Sequence, residues 1–283
     1  MRKLVAGLLA AGISTLVWAA EPEVLFQVRT MEVTAGPERL AFVSDRGGVF
    51  EIYSTDLQGR DIRQLTRDGA PKDTPVWSPD GRWIAYVATA DDNDDIWVMD
   101  SEGGRARRLT DAPASDIHPN WSPDGRRIVF TRYTPQPTGD PGSLAVWTMA
   151  VDGSDQRRLT SGASASYASW SPDGSKLAYW REIDGAGEIV VADADGRNER
   201  RLTTNPAFDG WPAWRPDGKA IVFVRQRGDA ADIWLLDVAS GAESLVVGGP
   251  GKKTSPKWSR DGRLIYFDQS LGGALNVWSV AAP

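Results

Sequence analysis

The chemistry open to this chain is bounded by what its side chains can supply. Among 283 residues there is one histidine, His118, and no cysteine. That excludes disulfides, thiolate catalysis, cysteine-ligated metal centres and any site that needs two imidazoles. A Gly-x-Ser-x-Gly nucleophile elbow does not occur; the nearest string, Gly162-Ala163-Ser164-Ala165-Ser166, lacks the final glycine. Nucleophilic catalysis would rest on one imidazole as base, so the chain reads as a non-enzyme that needs no cofactor. In the run Asp91-Asp92-Asn93-Asp94-Asp95, residues Asp91, Asn93 and Asp95 alternate as in a calcium loop. No glycine follows at the sharp-turn position and no glutamate closes the loop, so a solvated acidic loop explains the run as well. With 32 basic against 38 acidic residues the net charge is −6, which argues against a nucleic-acid surface.

The elements that must position any site are set by a repeat. Trp-Ser-Pro-Asp-Gly starts at Trp77, Trp121 and Trp170, and variants start at Trp214 and Trp258. The tryptophans are 44, 49, 44 and 44 residues apart. Each pentamer precedes a short apolar run: Ile84-Ala85-Tyr86, Ile128-Val129-Phe130, Leu177-Ala178-Tyr179, Ile221-Val222-Phe223 and Leu264-Ile265-Tyr266. Leu40-Ala41-Phe42, 44 residues ahead of Ile84, marks a sixth copy whose pentamer has eroded to Gly36-Pro37-Glu38-Arg39. Proline pre-sets φ in the turn, aspartate bonds its own backbone and glycine takes the left-handed position. Period-two apolar patterning between such turns predicts four strands, A to D, in every copy.

Four-stranded units of this length are propeller blades, and the expected fold is an all-β six-bladed β-propeller of antiparallel blades. The last copy ends after its third strand, and Val24–Val28 is a spare strand at the other end. Pairing it with Leu275–Val280 would close the ring from both termini and leave no open edge. Residues 20–283 are read as this one domain. Ahead of it, Arg2 and Lys3, the apolar run Leu4–Val17 and Val17-Trp18-Ala19 have the plan of a secretory signal peptide over residues 1–19. No membrane span is expected after its cleavage, and the mature chain is expected to be a periplasmic or secreted monomer.

Propeller ligands gather where the innermost strands begin. Three residues before each strand-A tryptophan stand Thr74, His118, Tyr167, Trp211 and Ser255, different in every copy although the core positions keep their chemistry. Two residues earlier come Lys72, Asp116, Ala165, Asp209 and Lys253. Symmetric packing needs no such variety, whereas recognition of a non-symmetric partner does. The one large insertion, between Phe130 and Trp147, adds a Pro- and Gly-rich loop bearing Tyr133, Gln136 and Asp140, and loops on rigid scaffolds carry function. These residues are the expected partner face.

The run Ser44-Asp45-Arg46-Gly47-Gly48, with Ile52-Tyr53, Gln64-Leu65-Thr66 and the Trp-Ser-Pro-Asp-Gly turns, resembles the repeat of TolB-type propellers. The resemblance spans the mature chain and matches only the propeller half of that family. It implies a periplasmic, non-catalytic scaffold that binds other envelope proteins, such as a peptidoglycan-associated lipoprotein. A carbohydrate- or small-molecule-binding propeller, with Tyr167 and Trp211 stacking on the ligand, is the competing class. A metal-assisted hydrolase or lyase is a third, disfavoured by the single histidine.

Overall fold

A computed structural model describes residues 23–26, 30–135, 142–272 and 274–283. Every regular element in it is a β-strand. β1 (Glu23–Phe26) comes first, and the strands then run in sets. The first set is β2 (Thr30–Ala35), β3 (Arg39–Ser44), β4 (Glu51–Asp56) and β5 (Arg63–Gln64). The second is β6 (Lys72–Trp77), β7 (Trp83–Ala90), β8 (Asn93–Asp100) and β9 (Arg107–Arg108). The third is β10 (Ser115–Trp121), β11 (Arg127–Thr134), β12 (Ser143–Ala150) and β13 (Arg157–Arg158). The fourth is β14 (Ala165–Trp170), β15 (Lys176–Ile183), β16 (Ala186–Asp193) and β17 (Arg200–Arg201). Then come β18 (Phe208–Trp214), β19 (Ala220–Arg227), β20 (Ala230–Asp237) and β21 (Glu243–Val247), followed by β22 (Lys252–Trp258), β23 (Leu264–Leu271) and β24 (Ala274–Ala281).

The first four sets are separate antiparallel four-stranded sheets, paired in chain order. The last two sets, linked through one parallel bridge, Ala231 to Lys252, form with β1 an eight-stranded sheet. β1 lies antiparallel to β24, with Val24 opposite Trp278. This is an all-β, propeller-like fold of four-stranded antiparallel sheets. One register differs from the sequence expectation. Trp258 faces Ile265 as Trp214 faces Ile221, so the last apolar run is Ile265-Tyr266-Phe267, one residue later than Leu264-Ile265-Tyr266.

The turns between strands A and B are built as their residue types require. Ser78 Oγ donates to Asp80 Oδ1 at 2.6 Å and accepts from the Trp83 N–H at 3.0 Å, while the Gly81 N–H reaches the Ser78 carbonyl at 2.9 Å. The same Ser–Asp bond recurs at Ser122–Asp124, Ser171–Asp173 and Ser259–Asp261, each 2.6 Å. The Ser78 hydroxyl is the largest influence holding Asp80 down to about 2, so the turn keeps its ionised acceptor at any ordinary pH. The first copy makes a tighter turn, closed by Gly36 N–H to the Arg39 carbonyl at 2.8 Å. Across it, Arg260 of the last set reaches the Pro79 carbonyl of the second at 2.8 Å.

Neither face of a four-stranded sheet is covered by its own strands, so the core lies between neighbouring sheets. Ala41, Ile52 and Leu65 of the first set pack with Trp77, Ile84 and Tyr86 of the second. Val87, Ile96 and Leu109 pack with Trp121, Ile128 and Phe130. Val33, Leu40, Phe42 and Tyr53 of the first set meet Tyr266 and Val277 of the last. The strand-A tryptophans are buried, and two bond backwards: Trp121 Nε1–H to the Val76 carbonyl at 3.1 Å and Trp258 Nε1–H to that of Ala213 at 3.0 Å. Close approach also dictates glycine. Gly153, at φ 90°, lies against the Leu109 carbonyl of the preceding sheet, where a Cβ would collide.

Trp121 fills the joint between the second and third sets. Trp121→Ala should therefore lose about 3–5 kcal/mol as a core truncation. Urea unfolding monitored by circular dichroism measures it, and a midpoint equal to the parent's would contradict the joint.

Candidate functional site

The inner strands share one irregularity. Thr74, His118, Tyr167, Trp211 and Ser255 all take positive φ, at 42°, 54°, 57°, 53° and 52°, and so does Glu32 at 56°. Each sits where the ladder to strand B slips, for example between Ile117 and Asn120 or between Gly210 and Ala213. Left-handed backbone is unfavourable for residues with a Cβ and is kept only where the surroundings impose it. Four of the six precede proline (Pro75, Pro119, Pro212 and Pro256), which has no N–H to lose from the interrupted ladder. The slip brings Glu32, Thr74, His118, Tyr167, Trp211 and Lys257 around one narrow cavity of about 30 Å³. That is room for water, not for a substrate.

One side of the cavity is aromatic. The His118 and Tyr167 rings stack at 3.5 Å with 24° between their planes, and Tyr167 lies 5.1 Å from Trp211. Phe208 then meets Trp211 at 5.8 Å and Trp180 at 5.2 Å, both edge-on. The five rings form a half-buried arc leading outward from the cavity. Burial, with a smaller contribution from the Lys257 ammonium, pushes His118 down to about 3, so the imidazole is neutral. Burial likewise raises the Tyr167 phenol. His118 Nδ1 lies 3.2 Å from Ser166 Oγ, which in turn lies 2.9 Å from Thr131 Oγ1. Ser166 is wholly buried, so this pair orients the imidazole and offers no accessible nucleophile.

The other side is charged. Ser255 Oγ donates to Glu32 Oε1 at 2.7 Å, and the Glu32 N–H donates to Asp268 Oδ2 at 2.8 Å. Burial is the main cause raising both carboxyls above the usual range. Burial and then the charge of Glu32 push Asp73 up to about 7, although Asp73 keeps an exposed edge. Lys257 stands opposite Glu32 and Asp268, and its desolvation lowers its own pKa.

The remaining expected site residues fall elsewhere. Lys72, Asp116, Asp209 and Lys253 are buried and internally paired, which corrects their expected place on an open partner face. Arg132 holds Asp116 through two hydrogen bonds of 2.6 and 2.7 Å, and Arg225 holds Asp209 through two of 2.8 Å. Lys72 Nζ bonds the Asp68 carboxylate and the Ala70 carbonyl. Lys253 Nζ bonds the Gly249 carbonyl at 2.6 Å and lies 3.3 Å from Asp232 Oδ1. A cation or carboxylate taken out of water needs such partners, and meeting them spends its capacity for a ligand. Tyr133 is 36% exposed near the tip of β11 beside Gly142, while Gln136 and Asp140 lie outside the described residues.

The calcium alternation is not a loop of free oxygens. Asp91 and Asp92, at φ 51° and 59°, form a tight hairpin turn. Asp95 is buried, bonded by Arg108 Nη2 at 2.5 Å and by Asn93 Nδ2 at 3.2 Å, so Asn93 presents a donor there. Among the described residues no three metal-ligating side chains converge. Glu32, Lys257 and Asp268 were missing from the sequence reading. The first turn is two residues shorter than the others, so counting back 44 residues from Thr74 lands on Thr30 instead of Glu32.

The fold and its axial constellation define a β-propeller assembled from short tandem repeats. The profile of the PD40 family, the TolB beta propeller domain, matches residues 34–208, more than half of the chain, which therefore belongs to that family. The Tol-Pal system protein TolB of Desulfosudis oleivorans is 38% identical over 50 residues, which are 18% of this chain and 11% of that protein. TolB from Acinetobacter baumannii superposes with a TM-score of 0.73 at 21% identity, over 87% of this chain and 64% of that one. A TolB-type protein from Agrobacterium tumefaciens gives 0.70 at 22% identity, over 92% and 94%. An oligogalacturonate lyase in complex with manganese gives 0.64 at 16% identity, over 93% of both chains. At these identities the superpositions speak for the fold alone.

His118 is the only imidazole, so its titration can be followed without assignment. Its ring resonances should stay at neutral-form positions as pH falls from 6.5, the ordinary value, towards about 4. A midpoint near 6.5 in the folded protein would show an open, hydrated site.

Proposed function

We propose that the sheets form a closed six-bladed ring, knitted by β1 against β24, and that its axial mouth is a binding face for another envelope protein. The observation that carries this reading is the set of axis-facing residues held at positive φ. Each is a different side chain at an equivalent backbone position, whereas the joints between sheets repeat their chemistry. The bulge recurs in every inner strand and so belongs to the scaffold, whereas the side chain it presents differs each time, and that variety supports recognition of a non-symmetric partner. Family membership and the TolB names among its relatives support a role as a protein-interaction module in the periplasm; we read it as non-catalytic and monomeric, and as delivered there by a signal sequence over residues 1–19. The matched segment spans only 11% of the curated Desulfosudis relative; a peptidoglycan-associated lipoprotein, the partner that the family resemblance implies, is the class to test first.

Within that face Trp211 and Tyr167 are the anchors, with His118 setting the Tyr167 ring, while Thr74 and Ser255 are buried behind them. Partly exposed aromatics on a rigid frame lose little side-chain entropy on binding and are enriched among hot spots. Tyr133 and its loop would add contacts from the third repeat. The outward arc from Tyr167 through Trp211 and Phe208 to Trp180 supports a second reading, in which the same rings stack on a glycan.

The test is titration calorimetry of the purified protein with the periplasmic domain of a peptidoglycan-associated lipoprotein from the same organism, beside peptidoglycan fragments and oligouronides. Saturable binding to the lipoprotein domain is expected, and Trp211→Ala should weaken it by about 2 kcal/mol, roughly thirtyfold. Unchanged affinity in Trp211→Ala would remove the mouth from the interface. Binding to saccharides alone would favour the second reading.

A further inference from the structure

The polar half of the axial cavity joins distant parts of the chain. Glu32 lies on β2 in the first repeat, while Ser255 and Lys257 on β22 and Asp268 on β23 belong to the last. The bonds from Ser255 to Glu32 and from Glu32 to Asp268 cross between those repeats, 223 and 236 residues apart in sequence. They lie beside the apolar joint in which Val33, Leu40 and Phe42 meet Tyr266 and Val277. Asp268 is 1% exposed, and its Oδ1 has no hydrogen-bond partner among the described residues. Thr74 Oγ1, on the second repeat, is also buried without a partner. A charged carboxylate oxygen left so would be costly, whereas a protonated one becomes a donor.

The groups facing this cluster can be named strand by strand. β2 supplies Glu32, β6 supplies Asp73, β23 supplies Asp268 and β22 supplies the one ammonium, Lys257. Asp94 on β8 adds negative charge near Asp73. His118 on β10 and Tyr167 on β14 are neutral. Fully ionised, Glu32 and Asp268 would share one ammonium at a place where Asp268 is wholly buried and little water can screen the charges.

We propose that Glu32 and Asp268 form a pH-sensitive clasp across the seam between the first and last repeats, holding it while they retain protons and loosening it as they ionise. The clasp goes beyond partner binding and rests on the ring being closed at that seam. Both carboxyls are raised, burial being the main cause, so the folded state binds more protons than the unfolded chain. Their contribution is therefore complete at pH below the ordinary carboxylate range and is lost as pH rises above it. His118 acts in the opposite sense. Its lowered pKa favours unfolding as pH falls below 6.5, and comparing variants at each pH removes that background.

Hydrogen exchange read by mass spectrometry on the purified protein, at about pH 5.5 and about pH 8.5 with intrinsic rates normalised, tests the clasp. In the parent, amides of β1, β2 and β24 should lose about tenfold protection at the higher pH relative to those of β11 and β15. Asp268→Asn keeps an acceptor for the Glu32 N–H, which now bonds Asp268 Oδ2 at 2.8 Å, and should shrink that loss to half or less. Glu32→Gln, which keeps an acceptor for Ser255, should do the same and serves if the first variant folds poorly. A seam that responds to pH no more than β11 and β15, or equally in parent and variants, overturns the clasp. Amides of β1 and β24 unprotected at both pH values would instead overturn the closed ring.

Discussion

Everything in this molecule depends on the inability of a four-stranded sheet to cover its own faces. Phe42, Phe130, Tyr179, Phe223 and Phe267 are all fully buried, yet each lies in a repeat of at most four strands. They are covered because a neighbouring sheet leans on them, and the neighbour is covered in turn. The residues that repeat most faithfully serve this joint. The strand-A tryptophans wedge between sheets, and the glycines of the C–D turns let backbone touch backbone at Leu65, Leu109 and Leu159. The hydrophobic gain is shared between modules, so no single module holds its shape alone.

Packing sheets about an axis crowds the innermost strands, and the bulges at Glu32, Thr74, His118, Tyr167, Trp211 and Ser255 answer that crowding. Each bulge shifts the ladder register and turns a side chain towards the axis, at the cost of a left-handed residue. The side chains placed there leave bulk water, and their chemistry changes accordingly. An imidazole becomes neutral, a lysine loses part of its basicity, and a carboxyl is pushed above its usual range. The geometry that closes the interior also sets its electrostatics, because burial leads the causes of all three shifts. Aromatic rings on one side of the cavity and ionisable groups on the other leave a mouth without symmetry in an otherwise repeating scaffold.

Much of this was legible in advance because the repeat reports itself several times over. Five tryptophans at nearly constant spacing, each followed by a turn whose Ser, Pro, Asp and Gly have separate structural duties, allow few other architectures. The pairing of Val24 with the final strand could be anticipated from one missing strand at one end and one spare strand at the other. The site was less legible. Thr74, His118, Tyr167 and Trp211 were found by alignment, but Glu32 escaped because two residues are missing from the first turn. Asp268 and Lys257 escaped because they stand where other repeats carry unremarked residues. Lys72, Asp116, Asp209 and Lys253 looked like recognition groups only because a sequence does not display the Arg132, Arg225, Asp68 and Gly249 atoms that hold them.

The sequence by itself determined strands, turns, periodicity and the identity of the residues at each repeat position. Those are local properties, written in side-chain alternation and in the φ preferences of proline and glycine. Tertiary structure alone decided which charges are free and which are spent, and it brought Glu32 to Asp268 across 236 positions. Protonation, hydrogen-bond satisfaction and access to water depend on the distance to groups that are remote along the chain, and only the folded arrangement sets those distances.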